Sequence, residues 1–124
     1  MRVLLIDDEQ MVRKIVRKML ERAGHEVIEA ENGRLGLEQL SQGGFDLVIT
    51  DIIMPEMEGV ETVMSVREQH PSLKIIAMSG GGRTGNMDFL ATAQKLGAAA
   101  ILNKPFTVAA LSEAMEKAFK SDGT

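Results

Sequence analysis

The chain has 124 residues, 44% hydrophobic and 26% charged, with a formal net charge of −4 at pH 7. One domain with a real core fits that length and two do not, and the composition excludes a disordered chain. The acidic balance argues against a direct nucleic-acid surface, and the lack of cysteine excludes disulfides, thiol catalysis and thiolate metal sites.

The elements follow from the apolar pattern. Arg2–Asp8 (RVLLIDD) is an apolar run closing on two carboxylates and reads as a first strand. Its acids stand where a signal peptide would stay apolar, so a cytoplasmic protein is expected. Gln10–Ala23 is a first helix, with Val12, Ile15, Val16, Met19, Leu20 and Ala23 as its apolar face. Arg13, Lys14, Arg17, Lys18 and Arg22 form a basic, solvated side. Glu26–Ala30 reads as a second strand at a sheet edge. Asn32-Gly33 is a turn signal before a short second helix marked by Leu37 and Leu40, which Gly43-Gly44 breaks.

The third strand, Leu47-Val48-Ile49, has the uninterrupted apolar character of a strand buried on both faces and ends at Asp51. Taken alone, Asp51 is equally a ligand-edge residue or a cap of the next helix. A third helix spans Val60–Gln69 and stops at Pro71; Lys74–Met78 is a fourth strand ending at Ser79. The glycine-rich stretch SGGGRTGN precedes a fourth helix over Met87–Leu96. Ala98–Leu102, the longest apolar run at five residues, is far too short to span a membrane and reads as the fifth strand. Thr107 caps a fifth helix carrying Val108, Leu111, Met115 and Ala118, and residues 121–124 form a disordered tail. The two histidines look like surface turn residues and the nine methionines like core filler. Strands alternating with helices imply an α/β fold, a doubly wound parallel sheet with helices on both faces and right-handed crossovers. One domain over 1–120 accounts for the rest of the chain.

Asp7 and Asp8, Asp51, Ser79 and Lys104 all fall at the carboxyl ends of expected strands, the edge where ligands bind in open α/β sheets. Two carboxylates about 4 Å apart repel by about 4 kcal/mol at an effective dielectric near 20. Three such acids call for a cation, and their hard oxygens select Mg²⁺, Mn²⁺ or Ca²⁺. A carboxylate beside a divalent cation and a lysine is set up to receive a phosphoryl group. In that arrangement Asp51 is the nucleophile and Asp8 holds the metal directly. Asp7 holds it through water, and the Ile53 backbone carbonyl is a further ligand. Lys104, the Ser79 hydroxyl and the Gly80 amide contact phosphoryl oxygens.

Four segments, LLIDDE (Leu4–Glu9), VITDIIMPEMEG (Val48–Gly59), IIAMSG (Ile75–Gly80) and NKPF (Asn103–Phe106), resemble the receiver domain of two-component response regulators, of which CheY is a type. The resemblance spans nearly the whole chain. It implies a flavodoxin-like sheet of order 2-1-3-4-5, a cis Lys104-Pro105 peptide, and phosphotransfer to Asp51 from a sensor histidine kinase or histidine phosphotransfer protein. Such a domain switches binding to a downstream protein and catalyses only its own phosphorylation and dephosphorylation. Family members dock the phosphodonor on the first helix, and often pair through helix four, strand five and helix five, so the resemblance allows a homodimer through that face.

Three departures stand out. Ile101 occupies the position where the family often has a switching aromatic, Ser79 replaces the commoner Thr, and the loop Gly80–Asn86 is longer and carries four glycines. That loop is expected to be mobile and to order around the phosphoryl group. GGGRTG also matches a dinucleotide or P-loop pattern, but it follows the wrong strand, lacks the ribose-binding acid, and has Asn86 where a P-loop needs lysine. The acids after strand one oppose FMN, and Ile53 stands where a haloacid-type phosphatase needs a second aspartate. The alternative within the fold is a pseudo-receiver, a constitutive protein-interaction module that is never phosphorylated. The chain stops just after helix five, so either a stand-alone regulator or a piece of a longer protein is expected.

Overall fold

The structure, a computed structural model, describes residues 1–52, 58–79, 95 and 97–120. The chain runs β1 (Arg2–Ile6), α1 (Gln10–Arg22), β2 (Glu26–Ala30), α2 (Gly33–Leu40), β3 (Leu47–Asp51), α3 (Glu58–Gln69), β4 (Lys74–Ser79), β5 (Ala100–Asn103) and α4 (Val108–Lys120). All strands pair in parallel in the order β2-β1-β3-β4-β5. The helix expected over 87–96, apart from Lys95, the loop expected over 80–86, the tail 121–124 and the residues Ile53 and Gly80 lie outside the described residues.

Successive strand side chains point to opposite faces, and here each face is apolar. Val3, Leu5, Leu47, Ile49, Ile76 and Met78 meet Val16 and Leu20 of α1 and Leu111, Met115 and Ala118 of α4. Leu4, Ile6, Val48, Ile75 and Ala77 meet Leu40 of α2 and Val63 and Val66 of α3. Each fully buried Val, Leu or Ile contributes about 1.5–3 kcal/mol of transfer free energy, so the central strands carry the stability and hold their ends in fixed register.

Helix boundaries follow local chemistry. Asn32 is an N-cap, its side chain accepting from the Leu35 amide at 2.8 Å, rather than the turn its pairing with Gly33 suggested. Thr107 caps α4 as expected, accepting from the Ala110 amide at 3.0 Å. Gly43 and Gly44, with φ of 81° and 87°, end the α2 segment in a conformation that side chains disfavour. Strand β5 lies two residues later than expected at its start, because Ala98 and Ala99 belong to its approach; the Ala99 amide bonds the Ile75 carbonyl. Helix α3 begins two residues earlier than expected. Its Gly59 is pressed against β3: a Cβ there would lie 2.3 Å from the Ile52 backbone.

Two expectations about α1 are corrected. Ile15 is 53% exposed rather than part of the core face, and Val12 and Met19 are only partly buried. Arg13 is not solvated: its side chain is 13% exposed and pairs with Glu29 of β2 at 3.0 Å. Glu29 also accepts from Arg17 at 2.7 Å. This network lies over edge strand β2. Met11 and Met64 are likewise exposed and fill no core space.

Gly59→Ala is expected to destabilise the fold by about 1–3 kcal/mol, because the obstructing atoms are backbone and cannot rotate away; an ordinary glycine-to-alanine change inside a helix would stabilise by about 1 kcal/mol. Chemical denaturation reads the sign. A second expectation concerns pH. The Arg17 hydrogen bond, reinforced by Arg13 against the opposing effect of burial, holds the Glu29 carboxyl below its ordinary 4.5. Its contribution is therefore full above that pH and lost as pH falls through the lowered value. Thermal midpoints of the native chain and Glu29→Gln should differ at pH 7 and converge well below pH 4.5.

Candidate functional site

The β1 and β3 ladders bring two acids to one edge. Asp51 is the last residue of β3 and Asp7 the first beyond β1. By strand alternation they continue the series Val3–Leu5 and Leu47–Ile49, on the sheet face covered by α1 and α4. Asp7 is 0% and Asp51 2% exposed. Carboxylates buried to this degree cost several kcal/mol each unless paired. Lys104 supplies the pairing: its Nζ lies 3.0 Å from Asp7 Oδ2 and 3.0 Å from Asp51 Oδ2. The peptide linking it to Pro105 is cis, and its amide donates to the Ser79 carbonyl at 2.7 Å, so the lysine backbone is tied to the end of β4.

Asp7 is held on every polar atom. Its amide donates to the Ala30 carbonyl at 3.2 Å, and its carbonyl accepts from Arg13 Nη1 at 2.6 Å. Its Oδ1 accepts from the Glu9 amide at 2.9 Å, leaving Oδ2 for Lys104. Asp8 and Glu9 are exposed at the same rim. Ligand oxygens of Asp7, Asp8, Glu9 and Asp51 all lie within 4.8 Å of one another. Glu9 was not singled out from the sequence; its place in LLIDDE was the available signal, and its Oε1 is 3.8 Å from Lys104 Nζ.

Among the described residues, four carboxylates thus face one ammonium, and the proton affinities of the groups shift accordingly. Burial, then the charge of Asp7, raises the Asp8 carboxyl above its ordinary 3.8. Burial pushes the Lys104 ammonium down, but the charge of Asp51 and the bonds to Asp7 and Asp51 outweigh it, and the net shift is upward from 10.5. Lys104 is therefore a fixed cation at neutral pH. The donor set, carboxylate oxygens only and in excess of the available positive charge, fits a hard divalent cation such as Mg²⁺. Ser79, 0% exposed, has a hydroxyl without a hydrogen-bond partner among the described residues. A buried hydroxyl left so costs about 1–3 kcal/mol. It sits at the end of β4, one residue beyond the register partner of Asp51.

Of the residues expected at the site, Asp7, Asp8, Asp51 and Lys104 come together and Ser79 lies at the same strand-end edge. Ile53 and Gly80 fall outside the described residues. Ile101, where an aromatic was absent from the expected pattern, is partly buried against the cluster shared by β1, β3, β4 and α3. Among the described residues no helix is long and apolar enough to cross a membrane.

Residues 3–116 match the response regulator receiver domain family. A response regulator receiver protein CpdR from Brucella abortus is 37% identical over 117 residues, covering 94% of each chain. A chemotaxis protein CheY from Thermotoga maritima is 35% identical over 120 residues, 96% of this chain and 98% of that one. A solved response regulator receiver domain protein from Clostridium thermocellum superposes with a TM-score of 0.87 at 31% identity, over 98% of this chain and 96% of that one. With its sheet order, its strand-end acids and this match over nearly all of its length, the chain belongs to the response regulator receiver domain family of two-component systems.

Proposed function

We propose that this chain, as one receiver domain over 1–120, is a phosphorylation switch whose acceptor is Asp51. The observation that carries this reading is the Lys104 ammonium, 3.0 Å from both buried carboxylates, Asp7 and Asp51, at the rim of an acidic cluster. A carboxylate oxygen of Asp51 attacks the phosphorus of a phosphohistidine on a sensor kinase or phosphotransfer protein. The P–N bond breaks, and the imidazole nitrogen keeps the electron pair and takes a proton from solvent. Water later attacks the acyl phosphate and returns Asp51 and inorganic phosphate. Lys104, held by Asp7 and Asp51 in the resting state, is placed to accompany the developing negative charge. The Ser79 hydroxyl, without a partner among the described residues, donates to a phosphoryl oxygen.

Asp8, Asp51 and, through water, Asp7 would hold Mg²⁺, or Mn²⁺ in its place, and Glu9 adds to the attracting charge. The cation supplies neutralisation of the acids and of the phosphoryl oxygens. The Ile53 carbonyl and the Gly80 amide complete the set implied by the family. Phosphorylation would change binding to a downstream protein inside the cytoplasm, with no direct role for nucleic acid or membrane. Homodimerisation through the face of 87–96, β5 and α4 belongs to the same reading. The pseudo-receiver alternative draws on Ile101, whose aliphatic side chain offers no aromatic swing.

Incubation with acetyl phosphate and Mg²⁺ is expected to give a phosphoryl adduct by intact mass, lost in Asp51→Asn and in chelator. A folded, Mg²⁺-binding chain that takes no phosphoryl group from acetyl phosphate or from a cognate kinase would establish the pseudo-receiver instead. A further outcome concerns Asp8. Its carboxyl is raised, so its ionised form destabilises the fold above that raised value, and the penalty is absent below about 3.8, where both states are protonated. Asp8→Asn in chelator at pH 7 should raise the thermal midpoint, by an amount that solvent screening of this exposed carboxyl keeps small. The gain should vanish under acid, and the variant should lose the Mg²⁺-dependent increment of the native chain.

A further inference from the structure

We propose that Arg13 is a positioning residue for the acidic pair: its guanidinium fixes the Asp7–Asp8 peptide and thereby sets the affinity of the cluster for a divalent cation. This rests on the cation-assisted reading above. The sheet ladder ends at Ile6, whose partners are Ala30 and Thr50. The Asp7 amide still reaches the Ala30 carbonyl, but β2 stops there. Arg13, from the first turn of α1, meets the next polar atom: Nη1 donates to the Asp7 carbonyl at 2.6 Å. That carbonyl and the Asp8 amide form one rigid peptide unit, so its orientation decides where the Asp8 side chain starts.

The guanidinium is itself fixed. Its Nε donates to Glu29 Oε1 at 3.0 Å, and Glu29 Oε2 is held by Arg17 Nη1 at 2.7 Å. Two donors of one planar fork thus span β2 and the end of β1 at once. Lysine, a single nitrogen on a flexible stem, cannot reproduce that span. The Arg13 side chain is 13% exposed, whereas Arg17, which shares Glu29 but does not touch Asp7, is 41% exposed. Arg17 is the natural control.

Positioning and plain electrostatics predict opposite signs. Deleting a positive charge beside an acidic cluster should tighten Mg²⁺ binding; deleting a positioning contact should weaken it. Supporting residues around metal ligands typically matter by about 10–100-fold in affinity. The experiment is calorimetric titration of MgCl₂ into the native chain, Arg13→Gln, Arg13→Lys and Arg17→Gln, with the thermal midpoint of each in chelator. Arg13→Gln is expected to bind about 10-fold more weakly. Arg17→Gln should stay within about 2-fold of native, the small change expected of an exposed, screened charge. Each removes one bond to Glu29, and Arg13→Gln should lose more thermal stability because it also removes the bond to the Asp7 carbonyl, whereas Arg17→Gln also removes an exposed pair with Glu21. Arg13→Lys keeps the charge, serves if the glutamine variant does not fold, and should also bind more weakly than native. Unchanged or tighter binding in the Arg13 variants, or equal weakening in Arg17→Gln, overturns the inference while leaving the acceptor role of Asp51 standing. A native chain that binds no Mg²⁺ overturns both.

Discussion

The structure turns on a lysine ammonium lodged between two buried carboxylates. Asp7 and Asp51 are carried to the sheet edge by the apolar strands that precede them, and both are almost wholly withdrawn from the solvent that would disperse their charge. Their burial is tolerable because Lys104, fixed by its own backbone bond to β4, comes between them. Remove that contact and the ends of β1, β3 and β5 repel or drift. Among the described residues the acids still outnumber the cation: Asp8 and Glu9 bring them to four against one ammonium. The fold spends apolar burial to hold acids that, among the described residues, outnumber the ammonium groups facing them, an arrangement common where a ligand completes a site.

What keeps so unfavourable an edge in place is the remainder of the sheet. Both faces are apolar and strand register is strongly specified, since a one-residue slip would trade one hydrophobic face for the other. The position of each strand-end residue is thus determined from within. The close approach of Gly59 to the Ile52 backbone ties the start of α3 to that edge, and Arg67 Nη2 on the Gly97 carbonyl, at 2.7 Å, ties the far end of α3 to the approach to β5 at the opposite edge. The first of these leaves the site little room to relax by spreading its charges apart.

Much of this was legible in the residues. Leu47-Val48-Ile49 running into Asp51 marks a central strand and its ligand edge in one stretch, and the same holds for Leu4-Leu5-Ile6 before Asp7. Apolar runs that stop at a charge leave little choice of register. Less legible was anything decided by tertiary pairing. Asn32 looked like a turn because capping and turn formation draw on the same side-chain chemistry. Ile15 fitted the helical period but fell on the rim of α1, beyond the reach of the sheet. The basic residues of α1 looked alike in sequence, yet Arg13 is enclosed because Glu29, sixteen residues on in β2, reaches it. The early start of α3 and late start of β5 reflect neighbouring backbone, which a linear pattern does not contain.

The separation of the site's members along the chain has a temporal consequence. Lys104 stands 97 residues from Asp7 and 53 from Asp51. During synthesis the acids of β1 and β3 emerge long before the lysine, so a nascent chain holds them without their counter-ion. The contact closes only after β5 has joined the sheet. Assembly of the reactive edge therefore comes late in synthesis rather than early, and a chain that has not yet reached Lys104 lacks it. Competence for chemistry thus depends on strands from both ends of the chain having joined one sheet, so a chain in which β5 has not docked carries no complete site with which to signal.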